Sequence, residues 1–142
     1  MLGVIFSVVA GAAMSFQGVI NTRLGEKTGL WEANAYVQLT AFIASLIVML
    51  IFGNGSVKSI FDVDKVYLTG GIIGLIITVT VMLAMRHNNP TVAISIILIA
   101  QLLVAACIDA FGILDTPKVA FTWGKYVGLF LMLGGVAVFK FL

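Results

Sequence analysis

The chain has 142 residues, of which 61% are hydrophobic and 10% charged, with 15 glycines besides. A soluble domain usually carries about 25% charged residues, and the mean hydropathy here is +1.17. Water cannot be kept from so much apolar surface in a globule of this size, which excludes a soluble enzyme, a disordered tail and a nucleic-acid module. The net charge of +2 is too small and too dispersed to suggest a polyanion partner. The expected class is an all-α integral membrane protein, with residues 1–142 forming a single transmembrane domain.

A helix needs about 20 apolar residues to cross a hydrocarbon core of about 30 Å. Five segments meet that length, taken here in chain order. The first is Leu2–Thr22. No Lys or Arg precedes Arg23, so the basic start of a cleavable signal peptide is missing and a retained helix is expected. Ser7, Gly11, Ser15, Gly18 and Thr22 recur at helical spacing as a row of small residues. Gln17 and Asn21 share another face. A connector with Arg23, Glu26 and Lys27 follows.

The second segment is Glu32–Phe52, with Asn34, Gln38 and Ser45 along one face. Gly53-Asn54-Gly55-Ser56 is a turn composition, and Lys58, Asp62, Asp64 and Lys65 follow it. The third is Val66–Met85, where Gly70, Gly74 and Thr78 make a second row of small residues. Arg86 and His87 lie in the next connector, His87 as a solvated loop residue. Asn89-Pro90 marks a helix start, with Asn as cap and Pro in the first turn.

The fourth segment is Thr91–Gly112, in which Gln101, Ala105 and Asp109 form a row at i, i+4 and i+8. Its Cys107 stands alone in an apolar run, without metal-ligand spacing, and is read as a small buried thiol. Asp115-Thr116-Pro117 is a turn, and Lys118 follows. The fifth is Trp123–Phe141, with Gly124, Gly128, Gly134 and Gly135. Trp31, Tyr67, Trp123 and Tyr126 fall at segment ends, where an interfacial aromatic belt belongs. A β-barrel would alternate apolar and polar residues, whereas Ile94-Ser95-Ile96-Ile97-Leu98-Ile99-Ala100 is nearly continuous.

Five spans place the termini on opposite sides of the membrane. The side of Met1 then holds Lys58, Lys65, Lys118 and Lys125, and the other side holds Arg23, Lys27, Arg86 and Lys140. The balance is four against four, and Lys/Arg asymmetry is what orients a membrane protein. Insertion in both orientations is therefore expected, and with it an antiparallel, dual-topology homodimer. Two chains would then supply the inverted repeat that many transporters carry within one. The glycine positions Gly70, Gly74, Gly124, Gly128, Gly134 and Gly135 are candidates for helix packing or the dimer seam, the fifth helix first among them.

Polar groups inside a bilayer are costly and call for a reason. Gln17, Asn21, Asn34, Gln38 and Gln101 are the candidate substrate contacts; their alternative role is interhelical hydrogen bonding. Asp109 and Glu32 are the candidate proton- or cation-coupling groups. Asp109 lies about 27 Å along the helix from Thr91, near its C-terminal end, where the dipole disfavours an acid. Its alternative role is an interfacial ion pair with Lys118 or Lys125. Glu32, in a first helical turn, is favoured there by the dipole alone. In an antiparallel dimer, Asp109 of one protomer would share a depth with Glu32 and Asn21 of its partner.

The stretch Gln17-Gly18-Val19-Ile20-Asn21-Thr22-Arg23-Leu24, continued by Gly29-Leu30-Trp31-Glu32-Ala33, resembles the YdcZ-type half-size proteins of the drug/metabolite transporter superfamily. So do Gly70-Gly71-Ile72-Ile73-Gly74 and the run from Gln101 to Gly112. The last helix, from Gly128 to Val136, is similar to the closing helix of that superfamily. The resemblance implies a five-helix bundle equal to one repeat of ten-helix members. It implies alternating-access transport of a small metabolite or organic cation, in the bacterial inner membrane. The related small multidrug resistance exporters are antiparallel dimers with a glutamate in the first helix. This chain has Gln17 and no acid in Leu2–Thr22, so proton coupling would fall to Asp109 or Glu32.

The implied partners are lipid, a small-molecule substrate, and a second copy or a related half-size chain. No cofactor or metal is expected. Rival readings are a short dual-topology ion channel, whose glycine-arginine motif is missing here, and an accessory subunit of a membrane assembly. An enzyme is disfavoured, since the sequence offers no nucleophile–base pair, phosphate loop or metal-ligand cluster. A C-terminal tag in native membranes is expected to label about equally from both sides. Labelling from one side alone would exclude the antiparallel homodimer.

Overall fold

A computed structural model describes residues 1–120 and 122–141. Its long helices are α1 (Leu2–Thr28), α2 (Leu30–Phe52), α3 (Gly70–His87), α4 (Pro90–Phe111) and α5 (Trp123–Phe141). Among the described residues, five helices are long and apolar enough to cross a membrane. The chain divides into two compact units, Met1–His87 with α1 to α3, and Asn88 onward with α4 and α5.

α1 runs six residues beyond its expected end at Thr22, through the charged stretch that reads as a connector. Arg23 Nη1 donates to Glu26 Oε2 at 3.0 Å within that extra turn and a half. Charged residues need not end a helix; they only need to leave the hydrocarbon. The reversal into α2 is a single residue, Gly29, at φ 108° and ψ 152°. A side chain is strained at that φ, and Gly29 lacks one. Its N–H donates to Gly25 O and its carbonyl accepts from Ala33 N–H, both at 3.1 Å.

α3 begins at Gly70, four residues after its expected start. Lys65–Thr69 winds instead as a tighter 3₁₀ turn, headed by Asp64, whose Oδ1 accepts from Val66 N–H at 3.4 Å. α4 starts as its sequence predicts. Asn89 Oδ1 accepts from Val92 N–H at 3.0 Å, with Pro90 in the first turn. Such a cap is worth about 1 kcal/mol.

α4 ends at Gly112, which adopts the left-handed conformation at φ 65° and donates its N–H to Ile108 O at 2.8 Å. Leu114 and Asp115 are also left-handed, a strained choice for a leucine. The strain turns the loop back onto the helix. Val119 N–H donates to Asp109 O at 2.9 Å, and Thr116 Oγ1 to Ile108 O at 3.5 Å. The last carbonyls of α4 thus find partners in the chain itself.

Within the first unit α1 packs on both α2 and α3. The tightest approach uses the small-residue row. A Cβ at Gly18 would stand 2.6 Å from Met85 Cε and 3.1 Å from Val81 Cγ1. One at Gly25 would meet Arg86 Nη2 at 2.9 Å, Met82 Sδ at 3.5 Å and Ala33 Cβ at 3.6 Å. Met82 is 0% exposed, and Val79 and Met85 are buried beside it on α3. Gly11, in the same row, faces open space, as do Gly70, Gly74, Gly124, Gly128, Gly134 and Gly135. The close contact is therefore confined to the Gly18–Gly25 half of α1.

The outward faces are apolar. Leu2, Ile5, Phe6, Leu50 and Phe52 are all exposed, as are Phe130 and Phe141 on α5. Hydrocarbon is the solvent that suits them. Trp123 and Tyr126 stack obliquely, ring centroids 6.1 Å apart, at the start of α5.

Gly18→Leu is expected to destabilise the protein by about 1–3 kcal/mol through overpacking. Gly11→Leu, facing open space, is expected to leave stability unchanged. Thermal unfolding of both variants in detergent checks the contrast, and equal losses would contradict it.

Candidate functional site

The first unit holds a small cleft between α1 and α3, mostly apolar, with three polar side chains in its lining. Gln17 and Asn21 line it from α1 and Thr78 from α3, with Met14, Gly18, Ile77 and Val81 as apolar walls. Its volume is about 40 Å³. Gly18 matters twice here: its missing side chain lets α3 approach, and that approach sets Thr78 across from Asn21. Asn21 is only 6% exposed, whereas Gln17 is exposed.

α2 joins through a hydrogen bond. Gln38 Nε2 donates to Thr78 Oγ1 at 3.4 Å, and that hydroxyl in turn donates to Gly74 O at 2.9 Å. Asn34 lies one helical turn before Gln38 on α2. It is 4% exposed, and its Oδ1 has no hydrogen-bond partner among the described residues. Leaving a buried acceptor unsatisfied costs about 1–3 kcal/mol. Thr22, also buried, is satisfied locally through Gly18 O at 2.7 Å.

Four of the residues singled out as substrate contacts, Gln17, Asn21, Asn34 and Gln38, thus belong to one three-helix unit. Gln17 and Asn21 line the cleft itself, and Gln38 reaches Thr78 on its wall. Thr78 carries a role that sequence reading had given to helix packing. The hint was its i+4 spacing from Gly74, which lets the hydroxyl bond back and still accept. Ser45 is exposed and bonds only to Ala41 O, at 2.7 Å. Glu32 is exposed in the first turn of α2, its carboxylate laid back against Gly29.

The ionisable group of the second unit sits in a different setting. Asp109, half-buried, lines a cleft of about 280 Å³ between α4 and α5. Leu102, Ala105 and Ala106 wall it on α4, and Gly128, Leu129 and Met132 on α5. Lys125 is the cation that shares this cleft. Lys118 is placed otherwise, its Cγ packed over Gly112, 2.8 Å from where a Cβ would be. Gln101 is exposed on α4. Cys107, expected as a buried thiol, is exposed; the i+4 row through Gln101, Ala105 and Asp109 leaves it on another face of the helix.

The orphaned Asn34 yields a prediction. Replacing a buried unsatisfied amide by an apolar group of similar shape is neutral or stabilising. Asn34→Leu is therefore expected to keep or raise the thermal unfolding midpoint. A drop equivalent to more than about 1 kcal/mol would show that the amide is satisfied in the membrane.

Comparison with known proteins adds the family. Residues 2–138 match the family model described as "Putative inner membrane exporter, YdcZ". No curated protein and no solved structure gives a significant match. The match covers nearly the whole chain and joins the sequence resemblance to the five membrane-length helices. The chain belongs to the YdcZ family, whose description as inner membrane exporters supports a membrane-embedded transporter in general.

Proposed function

We propose that this chain is a small secondary transporter that moves a small metabolite or organic cation by alternating access, with an antiparallel homodimer as the working unit. The observation that carries this reading is the convergence of Gln17, Asn21 and Thr78 on one cleft, with Gln38 bonded to Thr78. Amide and hydroxyl groups at membrane depth are costly unless a partner or a solute meets them. Here they gather in one place instead of scattering along helix seams.

The dimer rests on charge. Four Lys/Arg on each side leave no bias to orient the chain. A single chain has five spans, and an inverted second copy completes the repeat pair on which alternating access is built.

Asp109 is the proposed coupling group. It is the carboxylate placed in a cleft between helices, whereas Glu32 is exposed at a turn. Proton and substrate would compete through it, so that release of one accompanies binding of the other. Lys125 in the same cleft favours a second role, a fixed ion pair near the interface.

Asp109→Asn separates the two. As a coupling group, its loss is expected to remove the pH dependence of transport in proteoliposomes while the protein still folds. As half of an interfacial pair, its loss lowers thermal stability and leaves the pH profile in place. An unchanged pH profile would sink the coupling assignment.

A further inference from the structure

We infer that the cleft of the first unit recognises an uncharged, multiply hydrogen-bonding solute of the size of urea or a small amide, and that it rejects organic cations. The inference rests on the transporter reading and narrows its substrate class.

The lining carries the argument. Gln17, Asn21 and Thr78 supply its polar groups, and Met14, Gly18, Ile77 and Val81 the rest. None of these side chains ionises. The groups one step away, Gln38 and Asn34, are neutral amides as well. An organic cation here would meet no counter-charge from the lining of its own chain, and an unpaired buried charge costs far more than a paired neutral dipole. An amide side chain offers an acceptor oxygen and two N–H donors. The two amides of the lining, Gln17 and Asn21, therefore complement a solute that also carries both.

Size agrees. A cavity that takes benzene measures about 150 Å³, and this cleft about 40 Å³. That admits a few heavy atoms and no bulky ring.

Urea and guanidinium have the same planar shape and differ in charge, so they make the test. The full chain is reconstituted in proteoliposomes, and counterflow of each radiolabelled probe is compared with protein-free vesicles. Urea is expected to exchange at least about tenfold faster than guanidinium. Asn21→Leu is expected to reduce urea exchange about tenfold, the worth of one buried hydrogen bond. Asn21→Asp puts a carboxylate at the same place and is expected to turn the preference toward guanidinium, a change no loss of folding can produce.

Guanidinium exchange with no urea exchange overturns the inference and leaves the transporter reading intact. Exchange of neither probe counts against both. Urea exchange that Asn21→Asp leaves untouched, with guanidinium still excluded, removes the site from this cleft.

Discussion

Hydrocarbon offers no hydrogen bonds, and that constraint arranges every polar group in the five helices. The hydroxyls solve it locally. Ser7 bonds to Gly3 O, Ser15 to Gly11 O, Thr22 to Gly18 O, Ser45 to Ala41 O and Ser95 to Thr91 O, each one turn back. A short hydroxyl can reach the carbonyl of the preceding turn and so becomes invisible to the lipid. These residues need nothing from another helix. The contrast with the amides follows directly. Gln38 finds a partner on α3, Asn21 faces a cleft, and Asn34 keeps one unmet oxygen. Polar residues of similar hydropathy thus divide into those that are already satisfied and those that wait for something.

Helix approach decides where the second group meets. Gly18 and Gly25 let α1 lie against Met82, Met85 and Val81, and flexible methionines fill what the glycines vacate. The amides of α1 sit beside this contact, not on it. Gln17 precedes Gly18 and Asn21 follows it by three residues, so one turn carries both the close packing and the cleft. The same glycine that holds the unit together sets how wide the cleft can be. Stability and the shape of the cleft are thus linked at Gly18, whereas Gly11 faces open space and carries no such contact.

Much of this was legible in the residues, for reasons that can be named. Apolar runs of membrane length identify the helices, because lipid admits few alternatives. Asn89-Pro90 announces α4 because an Asn cap followed by proline has one good use. The i+4 spacing of Gln17 and Asn21 places them on one face, and the structure puts both on one cleft. The misses have physical causes too. Arg23, Glu26 and Lys27 looked like a loop, since charge marks the membrane boundary and not the end of a helix. Gly25 was hidden among them, although it packs against Ala33 and Met82. Thr78 passed for a small packing residue because its acceptor role appears only once Gln38 stands opposite. Lys118 and Lys125 were equal candidates beside Asp109. Only the backward fold of the loop, with Leu114 and Asp115 left-handed, lays Lys118 over Gly112 and leaves Lys125 to the cleft.

The two units carry different chemistry, and this division bears on how an exporter of five helices could work. The first unit is neutral at its cleft, so recognition there would rest on hydrogen bonds, which depend on shape and donor pattern. The second holds a carboxylate and an ammonium around a larger space, where charge is the variable. A carrier that recognises its solute through neutral groups would need a titratable group elsewhere to couple to a proton gradient, and Asp109, between α4 and α5, is the proposed one. In the proposed dimer, the four-against-four balance of basic residues would be the condition that lets both orientations exist.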